Sequence, residues 1–426
     1  MNKSEYNIHI IGAGISGLIA ATVLEQNGFH PIIIEATDRV GGRVKTDVVD
    51  GYQLDHGFQV LLTAYPAAKK YLDFESLDLQ KFLPGASVFR NGRQAIIGDP
   101  LRDISLLYST LLSGIGTIND KIKILQLNRR LKKKKMSEIF SDKEQSTFSY
   151  LVDFGFSDQM IEQFFRPFFS GIFLESELET SSRMFEFVYK MFGEGYATLP
   201  KAGIESIPKQ LAKKLKNTTF NFNTNVTSIK DGEIVLSTNN KLESHFTIVA
   251  TDASHLISNL KNQTVAWKSC DTLYFETENR VIRKPLIGLI AKKDALINNI
   301  FYHTSIGTSI KAKKELLSVT VVDRQSLSNE VLLERVIKEL KDCCGIHKCS
   351  FIKQYNIPTA LPKLNNLQYE MLPSETRLTT NIFLAGDTLL NGSLNAAMIS
   401  GEMAALGVLE ILSGNISSEN ITSEYR

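Results

Sequence analysis

Three glycines at fixed spacing, Gly12, Gly14 and Gly17 in "HIIGAGISGLIAATVLEQNG", are the first residues whose types suggest a chemistry. They fit G-x-G-x-x-G. In that pattern the first glycine permits a tight turn and the second lets backbone approach a pyrophosphate. The third lets a helix pack closely on a strand. The anion would rest at the helix N-terminus, on the backbone of Gly14, Ile15 and Ser16, where the dipole favours negative charge. Glu35 follows 23 positions after Gly12, with Ala36 next to it. A carboxylate there accepts hydrogen bonds from a ribose diol and repels a 2′-phosphate, which favours FAD or NAD over NADP. Taken alone, the glycine pattern also fits a turn that binds nothing.

The surrounding elements supply the context the glycines need. "YNIHII" is a short β-branched run of the kind buried in parallel sheets. "SGLIAATVLEQNG" predicts a helix closed by Gly28, and "HPIIIEA" a second strand, so the motif sits inside a β-α-β unit. Hairpins are expected at Asp50-Gly51, Asn91-Gly92 and Asp231-Gly232. Residues 100 to 195 are rich in helical patterns, and mixed strand signals return from 218 to 370. "NIFLAGD" predicts a last buried strand and "SLNAAMISGEMAALGVLEIL" a last helix, ahead of a polar tail expected to fray. The apolar run from Ile8 to Leu24 could suggest a membrane span, but its glycines and its strand-then-helix grammar argue against one.

Two further segments choose between the dinucleotides. "EATDRVGGRVKT" carries Arg39, Gly41, Gly42 and Arg43 directly after Glu35, a segment a nicotinamide enzyme has no need of. With it, the sequence resembles the flavin amine oxidase superfamily, which also holds protoporphyrinogen oxidases and phytoene-desaturase-like enzymes. The resemblance implies that this segment runs beside the FAD phosphates, with its last arginine supporting the cofactor. "NIFLAGDTLLNGSLNAAMISGEMAA" is similar to the family's closing strand, Gly-Asp pair and helix. Gly386 and Asp387 match the pair, and by that resemblance Asp387 accepts a hydrogen bond from the ribityl chain. The helix beginning near Leu394 and Asn395 aims its N-terminus at the flavin ring, where it would stabilise the anion formed on reduction. Gly57, in "DGYQLDHGFQVL", is implied to approach the flavin, and Val226 to touch the adenine end through its main chain. "LPKAGIESIPKQLA" departs from the family pattern at Ala202, where a glycine is usual.

The expected fold is mixed α/β. It is a Rossmann-type FAD-binding domain of the glutathione-reductase/amine-oxidase kind, assembled from 1–98, 200–265 and 370–426. A substrate domain is inserted as a helical part, 99–199, and a strand-rich part, 266–369, expected to form an antiparallel sheet. The FAD is expected to be non-covalent, since no cysteine or histidine lies in a motif suited to attachment.

The substrate leaves fewer marks. The amine oxidase branch places a lysine near flavin N5 and an aromatic pair around the amine, but "GDTLLNGSLNAAM" has no tyrosine at the usual position. Lys268, after the single tryptophan Trp267, reads as a solvent-facing strand residue. "FFRPFFSGIF" and "TSSRMFEFVYKMFGEG", with Met184 and Met191, fit either an aromatic core or the wall of a pocket for a long apolar molecule. The second alternative makes the chain similar to the phytoene-desaturase-like members and implies hydride transfer from a C–H bond to flavin N5. The rivals are an amine oxidase and an FAD-requiring isomerase without net oxidation. No catalytic residue can be named, because positioning and the flavin can suffice. His56, in a cofactor-proximal segment, reads as a structural hydrogen-bonding group rather than a proton carrier.

Bulk properties close some options. Net charge is +2 over 426 residues, so no global field recruits nucleic acid. The four cysteines, Cys270, Cys343, Cys344 and Cys349, match neither a disulfide framework nor a metal spacing. No metal is expected, and "KDCCGIHKC" reads as a helix ending at Gly345 before a strand. A reducing cytoplasm without a secretory leader is the expectation. The basic run "NRRLKKKKM" at 128–136 fits a solvated helix face or a peripheral contact with anionic lipid, near the apolar "LLYSTLLSGIG".

Overall fold

Ile8–Ile11 and Ile32–Ile34 are too apolar to offer a solvent face, and both become interior strands of one parallel sheet. The computed structural model describes residues 2–90, 92–99, 102–261, 263–311 and 313–413. Asn91 of one expected hairpin turn and the polar tail beyond residue 413 lie outside these residues. The parallel sheet runs Thr219–Asn221, Ile32–Ile34, Ile8–Ile11, Phe246–Val249, Ile382–Leu384. Its register aligns Ile11 with Ile34 and Val249, and Val249 with Leu384. The residues that follow these four therefore leave the sheet at one carboxyl edge, where open α/β sheets bind their ligands. His9 lies inside the sheet with its Nδ1 2.9 Å from Ser244 Oγ, and burial pushes its pKa down to about 4.

The helix Ile15–Gln26 is apolar on every side and is buried accordingly, ending at Asn27 with Gly28 at φ +83°. It crosses the closing helix Leu394–Ser413. The crossing is tight because Gly401 has no side chain: a Cβ there would lie 2.2 Å from the Ser16 carbonyl oxygen. The closing helix is the one described helix long and apolar enough to cross a membrane, but its residues from Asn395 to Val408 are mostly buried in this core.

The second sheet has seven strands, in the order Ser350–Pro362, Trp267–Thr277, Glu315–Val321, Ile297–Tyr302, Ile287–Ile290, Gly85–Arg90, Arg93–Gly98. All neighbours are antiparallel except Ile287–Ile290 with Gly85–Arg90. The hairpin at 85–98 thus belongs to the substrate-side sheet, whereas the sequence reading groups it with the cofactor domain. A hairpin pairs locally in either setting, and only the long-range pairing with 287–290 decides its side. The helix Asn329–Cys344, ended by Gly345 at φ +69°, covers one face with Leu332, Val336 and Leu340. Hairpins also form at Thr46–Val49 with Tyr52–Asp55 and at Val226–Lys230 with Glu233–Leu236, as their Asp-Gly turns predict.

The helical part packs on the other side. Its aromatic segment forms one continuous run, Asp158–Met160, a π turn over Ile161–Phe165, then Arg166–Phe173. The wide turn precedes Pro167, which cannot donate to the helix ladder and whose ring crowds the carbonyl one turn earlier. Phe165, Phe169 and Phe173 on one face are fully buried, against Phe185 of the helix Ser182–Glu194. Phe164, Phe168 and Ile172 on the adjacent face are only half-buried. The aromatic run is therefore fully buried on one side and partly exposed on the next.

Candidate cofactor and substrate site

The glycine loop is shaped as the spacing predicts. Gly12 has φ +106°, a left-handed conformation, and a Cβ there would meet the Ala250 carbonyl oxygen at 2.9 Å. A Cβ on Gly17 would lie 2.0 Å from the Gly12 carbonyl oxygen, so the helix start can close on the turn only with glycine there. Gly14 is the N-cap of the helix, and a Cβ on it would meet nothing within 4 Å. Its missing side chain serves no internal contact; it leaves bare backbone facing open space at a helix N-terminus. That fits a pyrophosphate group. Ile15 and Ser16 behind it are buried.

The Glu35 carboxylate has partners within the protein itself. Its Oε2 accepts from Ala13 N at 2.7 Å, and its Oε1 accepts from Thr37 N at 2.9 Å and Thr37 Oγ1 at 2.8 Å. The carboxylate is buried and fastens the glycine loop to the end of the second strand. Thr37, which holds this carboxylate, is a residue of the loop that the sequence reading did not single out; its signal is a hydroxyl two residues after the acid. Ala36, next to Glu35, is exposed.

The double-glycine segment lies against the loop. Gly41 N donates to the Ala13 carbonyl at 2.9 Å, and a Cβ on Gly42 would sit 3.3 Å from Gly14 Cα. Gly41 and Gly42 have φ +124° and +59°. Arg43 then reaches across the fold to Asp387, 344 positions away, in a close ion pair. Its guanidinium also donates to the Ala360 carbonyl at 3.3 Å and lies 5.1 Å from the Trp267 ring centroid. Nothing in the sequence around Trp267 indicates this contact, which tertiary pairing alone reveals. Both ends of the chain and the edge of the seven-stranded sheet therefore meet at Arg43.

Gly386 is extended, and its N–H donates to Ser400 Oγ at 3.0 Å, which holds the Gly-Asp turn on the closing helix. That helix starts at Leu394, half-buried, and Asn395, fully buried. Ser393 Oγ accepts from Ala396 N at 3.0 Å and so caps the start of the helix. Asn395 Oδ1 accepts from Ala67 N at 3.0 Å. Gly57 has φ +92° and is packed by Ile357, at 3.0 Å from a Cβ on it. Val226 is buried at the start of its strand, beside a bulge in the pairing with Glu233–Leu236.

Around this edge lies a charged brace. Asp47 accepts from Arg39 at 2.7 Å, from Tyr355 Oη at 2.8 Å, and pairs with His56 Nε2 at 2.9 Å. Against the burial that would raise it, these three groups hold the Asp47 carboxyl well below its usual range. The His56 ring lies tilted against Tyr355 at 4.3 Å, and its contact with Asp47 gives it a structural hydrogen-bond partner. Lys268 departs from its sequence reading. Its ammonium turns inward and donates to the Phe173 carbonyl at 2.9 Å and Thr180 Oγ1 at 3.0 Å, and burial lowers its pKa. The alternation of a strand places a side chain on a face, but only the packed helix shows that this face is covered.

Among the described residues no group of His, Cys, Asp and Glu could hold a metal. Lys134 is withdrawn into close ion pairs with Asp142 and Glu186, so it belongs to the interior brace and not to an exposed patch.

A parallel sheet with this glycine loop, double-glycine segment and Gly-Asp turn converging at one edge defines an FAD-dependent oxidoreductase. The family model for flavin-containing amine oxidoreductases matches residues 15–409, and the chain belongs to that family. Protoporphyrinogen oxidase 2 of Arabidopsis thaliana is 29% identical over 168 residues, 38% of this chain and 32% of the relative. A mitochondrial protoporphyrinogen oxidase of Nicotiana tabacum is 26% identical over 40% of this chain and 33% of the relative. The matches thus span about a third of these relatives' length. Among solved structures, a putative protoporphyrinogen oxidase from Exiguobacterium sp. 255-15 superposes with a TM-score of 0.69 at 16% identity, covering 96% of this chain and 99% of that one. An engineered putrescine oxidase gives 0.71 at 14% identity over 95% and 98%. At such identities these structures report the fold.

Proposed function

We propose that this flavoprotein oxidises a long or bulky apolar substrate, isoprenoid-like or polyene-like, at a C–H bond. The observation that carries the reading is the partly exposed aromatic face. Phe164, Phe168 and Ile172 are half-buried on one side of their helix, and the Phe168 ring meets Phe192 at 5.4 Å. The same helix ends at Phe173, whose carbonyl takes the Lys268 ammonium. Lys268 adjoins Trp267, and Trp267 covers Arg43 of the cofactor cluster. These contacts link the end of the aromatic helix to the strand that carries Trp267, and through Trp267 to Arg43. The chemistry FAD supplies when bound is acceptance of a hydride.

The chain's own residues bind and orient. Gly12, Gly14 and Gly17 with the helix start hold the phosphates. Gly41, Gly42 and Arg43 close over them. Asp387 and the helix N-terminus at Leu394 and Asn395 complete the flavin side. Aromatic side chains on the partly exposed face hold a large apolar molecule and exclude water, and orientation of that kind accounts for much of the catalysis such a reaction needs. No acid or base is required of the protein. Relatives named as protoporphyrinogen oxidases support a bulky substrate. Those named as amine oxidases support the rival.

The test is anaerobic mixing of the FAD-loaded enzyme with a carotenoid precursor, a porphyrinogen and a set of amines, followed by flavin absorbance. Bleaching by an apolar compound and not by amines is expected. Bleaching by amines alone would overturn the proposal. Turnover of an apolar substrate to an isomer with no acceptor consumed would assign the flavin a non-oxidative role.

A further inference from the structure

The helix Ile118–Lys133 has an unusual outward face. Asp120, Leu127 and Leu131 point inward and are buried. The opposite stripe, read along the helix period, is Ile118, Ile122, Leu125, Arg129, Lys132 and Lys133, all exposed. Its first two turns are apolar and its last two are basic. Ile118 is 80% exposed. A solvated face has no reason to place three large aliphatic side chains in succession on its outer side.

The neighbouring helix extends the apolar half. Leu107–Leu112 and the turn before it expose Ile104, Tyr108 and Leu112, spaced by four and so on one face. Tyr108 is 76% and Leu112 65% exposed. The two helices are tied together, since Lys121 Nζ donates to the Thr110 carbonyl at 3.0 Å. The connecting loop rests on the aromatic helix through Gln159 Nε2, which donates to the Gly114 carbonyl at 2.9 Å. Within the basic half, Lys134 is used internally, while Arg129, Lys132 and Lys133 form no ion pair among the described residues.

We infer that this apolar-to-basic face docks on an anionic lipid bilayer. The aliphatic side chains and Tyr108 enter the headgroup boundary, and Arg129, Lys132 and Lys133 lie level with the lipid phosphates. Charge complementarity selects this occupant over a second copy of the chain. In an antiparallel pairing of two such stripes each basic end would cover the partner's apolar end; in a parallel one the basic ends would meet. A bilayer surface takes both halves at once. The inference does not depend on which substrate the enzyme oxidises, although the loop between the two helices is joined to the helix that carries the proposed substrate wall.

The test is co-sedimentation of the full FAD-loaded chain with phosphatidylglycerol–phosphatidylcholine vesicles, with phosphatidylcholine alone as the comparison. Binding to the anionic vesicles is expected. The triple variant R129Q/K132Q/K133Q should partition on the order of a hundredfold more weakly at low salt. The variant I118S/I122S should lose binding at every salt concentration. All these positions are exposed, so both variants should keep the wild-type flavin spectrum and unfolding curve. Failure of the wild type to bind, or equal binding by the triple variant, would overturn the inference. A dimer that I118S/I122S dissociates, without vesicle binding by the wild type, would give the face to a second copy and overturn it as well.

Discussion

Replacing Glu35 with glutamine separates two roles that one carboxylate can play. As a ribose acceptor only, Glu35 would matter to FAD and little to the apoprotein. The structure gives it three internal donors, Ala13 N, Thr37 N and Thr37 Oγ1, at 2.7 to 2.9 Å. Glutamine has one acceptor oxygen and one NH2 group. If its oxygen faces Ala13, its NH2 faces the Thr37 N–H; if reversed, its NH2 faces the Ala13 N–H. Either way a donor meets a donor in a buried place. A hydrogen bond to a charged group contributes about 1.5–3 kcal/mol, and an unsatisfied buried donor costs about 1–3 kcal/mol. The Thr37 hydroxyl can turn and accept, which recovers part of the loss. A net destabilisation of about 2–4 kcal/mol is expected for the apoprotein. Equilibrium urea unfolding without FAD measures it. A second assay, FAD titration by flavin fluorescence, should show weaker binding, because the loop that holds the phosphates is no longer fastened. Wild-type apoprotein stability with weakened FAD binding would refute the fastening role and leave only the ribose one.

Other expectations follow from single contacts. Gly401→Ala places a Cβ 2.2 Å from the Ser16 carbonyl and should cost about 1–3 kcal/mol in urea unfolding, with poorer flavin retention on gel filtration. Asp55 is buried, accepts from Thr46 Oγ1 at 2.6 Å and Ile204 N at 3.1 Å, and burial pushes its pKa from 3.8 up to about 6. A raised folded pKa favours folding fully below 3.8, and that contribution is lost as pH rises through about 6. Relative to Asp55→Asn, the wild type should therefore lose about 2 kcal/mol between pH 4 and pH 7, and equal pH profiles for the two would contradict this. Lys268→Met removes the donor to the Phe173 carbonyl and Thr180 Oγ1 and should lower the unfolding free energy by about 1.5–3 kcal/mol while FAD affinity stays at the wild-type value. Phe168→Ala should reduce kcat/KM for an apolar substrate at least about tenfold, with the flavin spectrum unchanged, since its half-buried ring forms the proposed wall.

Local rules made part of this protein legible without coordinates. The strands at Ile8 and Ile32, the helix between them, the Asp-Gly hairpins and the stop at Gly345 each follow from a few adjacent residues. Their physics is short-range: backbone freedom at glycine, burial of β-branched runs, and helix capping. The glycine spacing likewise announced its own geometry, because a turn that close to a helix leaves no room for a Cβ at Gly12 or Gly17.

What the sequence could not carry is where distant segments meet. Nothing near Arg43 indicates that its guanidinium pairs with Asp387 and lies over Trp267. Nothing near Lys268 shows that a helix end covers its ammonium. The hairpin at 85–98 changed sides for the same reason, and Lys134 left the basic patch for Glu186. Glu35 was read as a ligand group, yet its donors come from the loop it holds. A side chain's type is written in the sequence, but its partner is chosen by packing between segments far apart in the chain, and that choice exists only once the sheet, helices and loops are assembled.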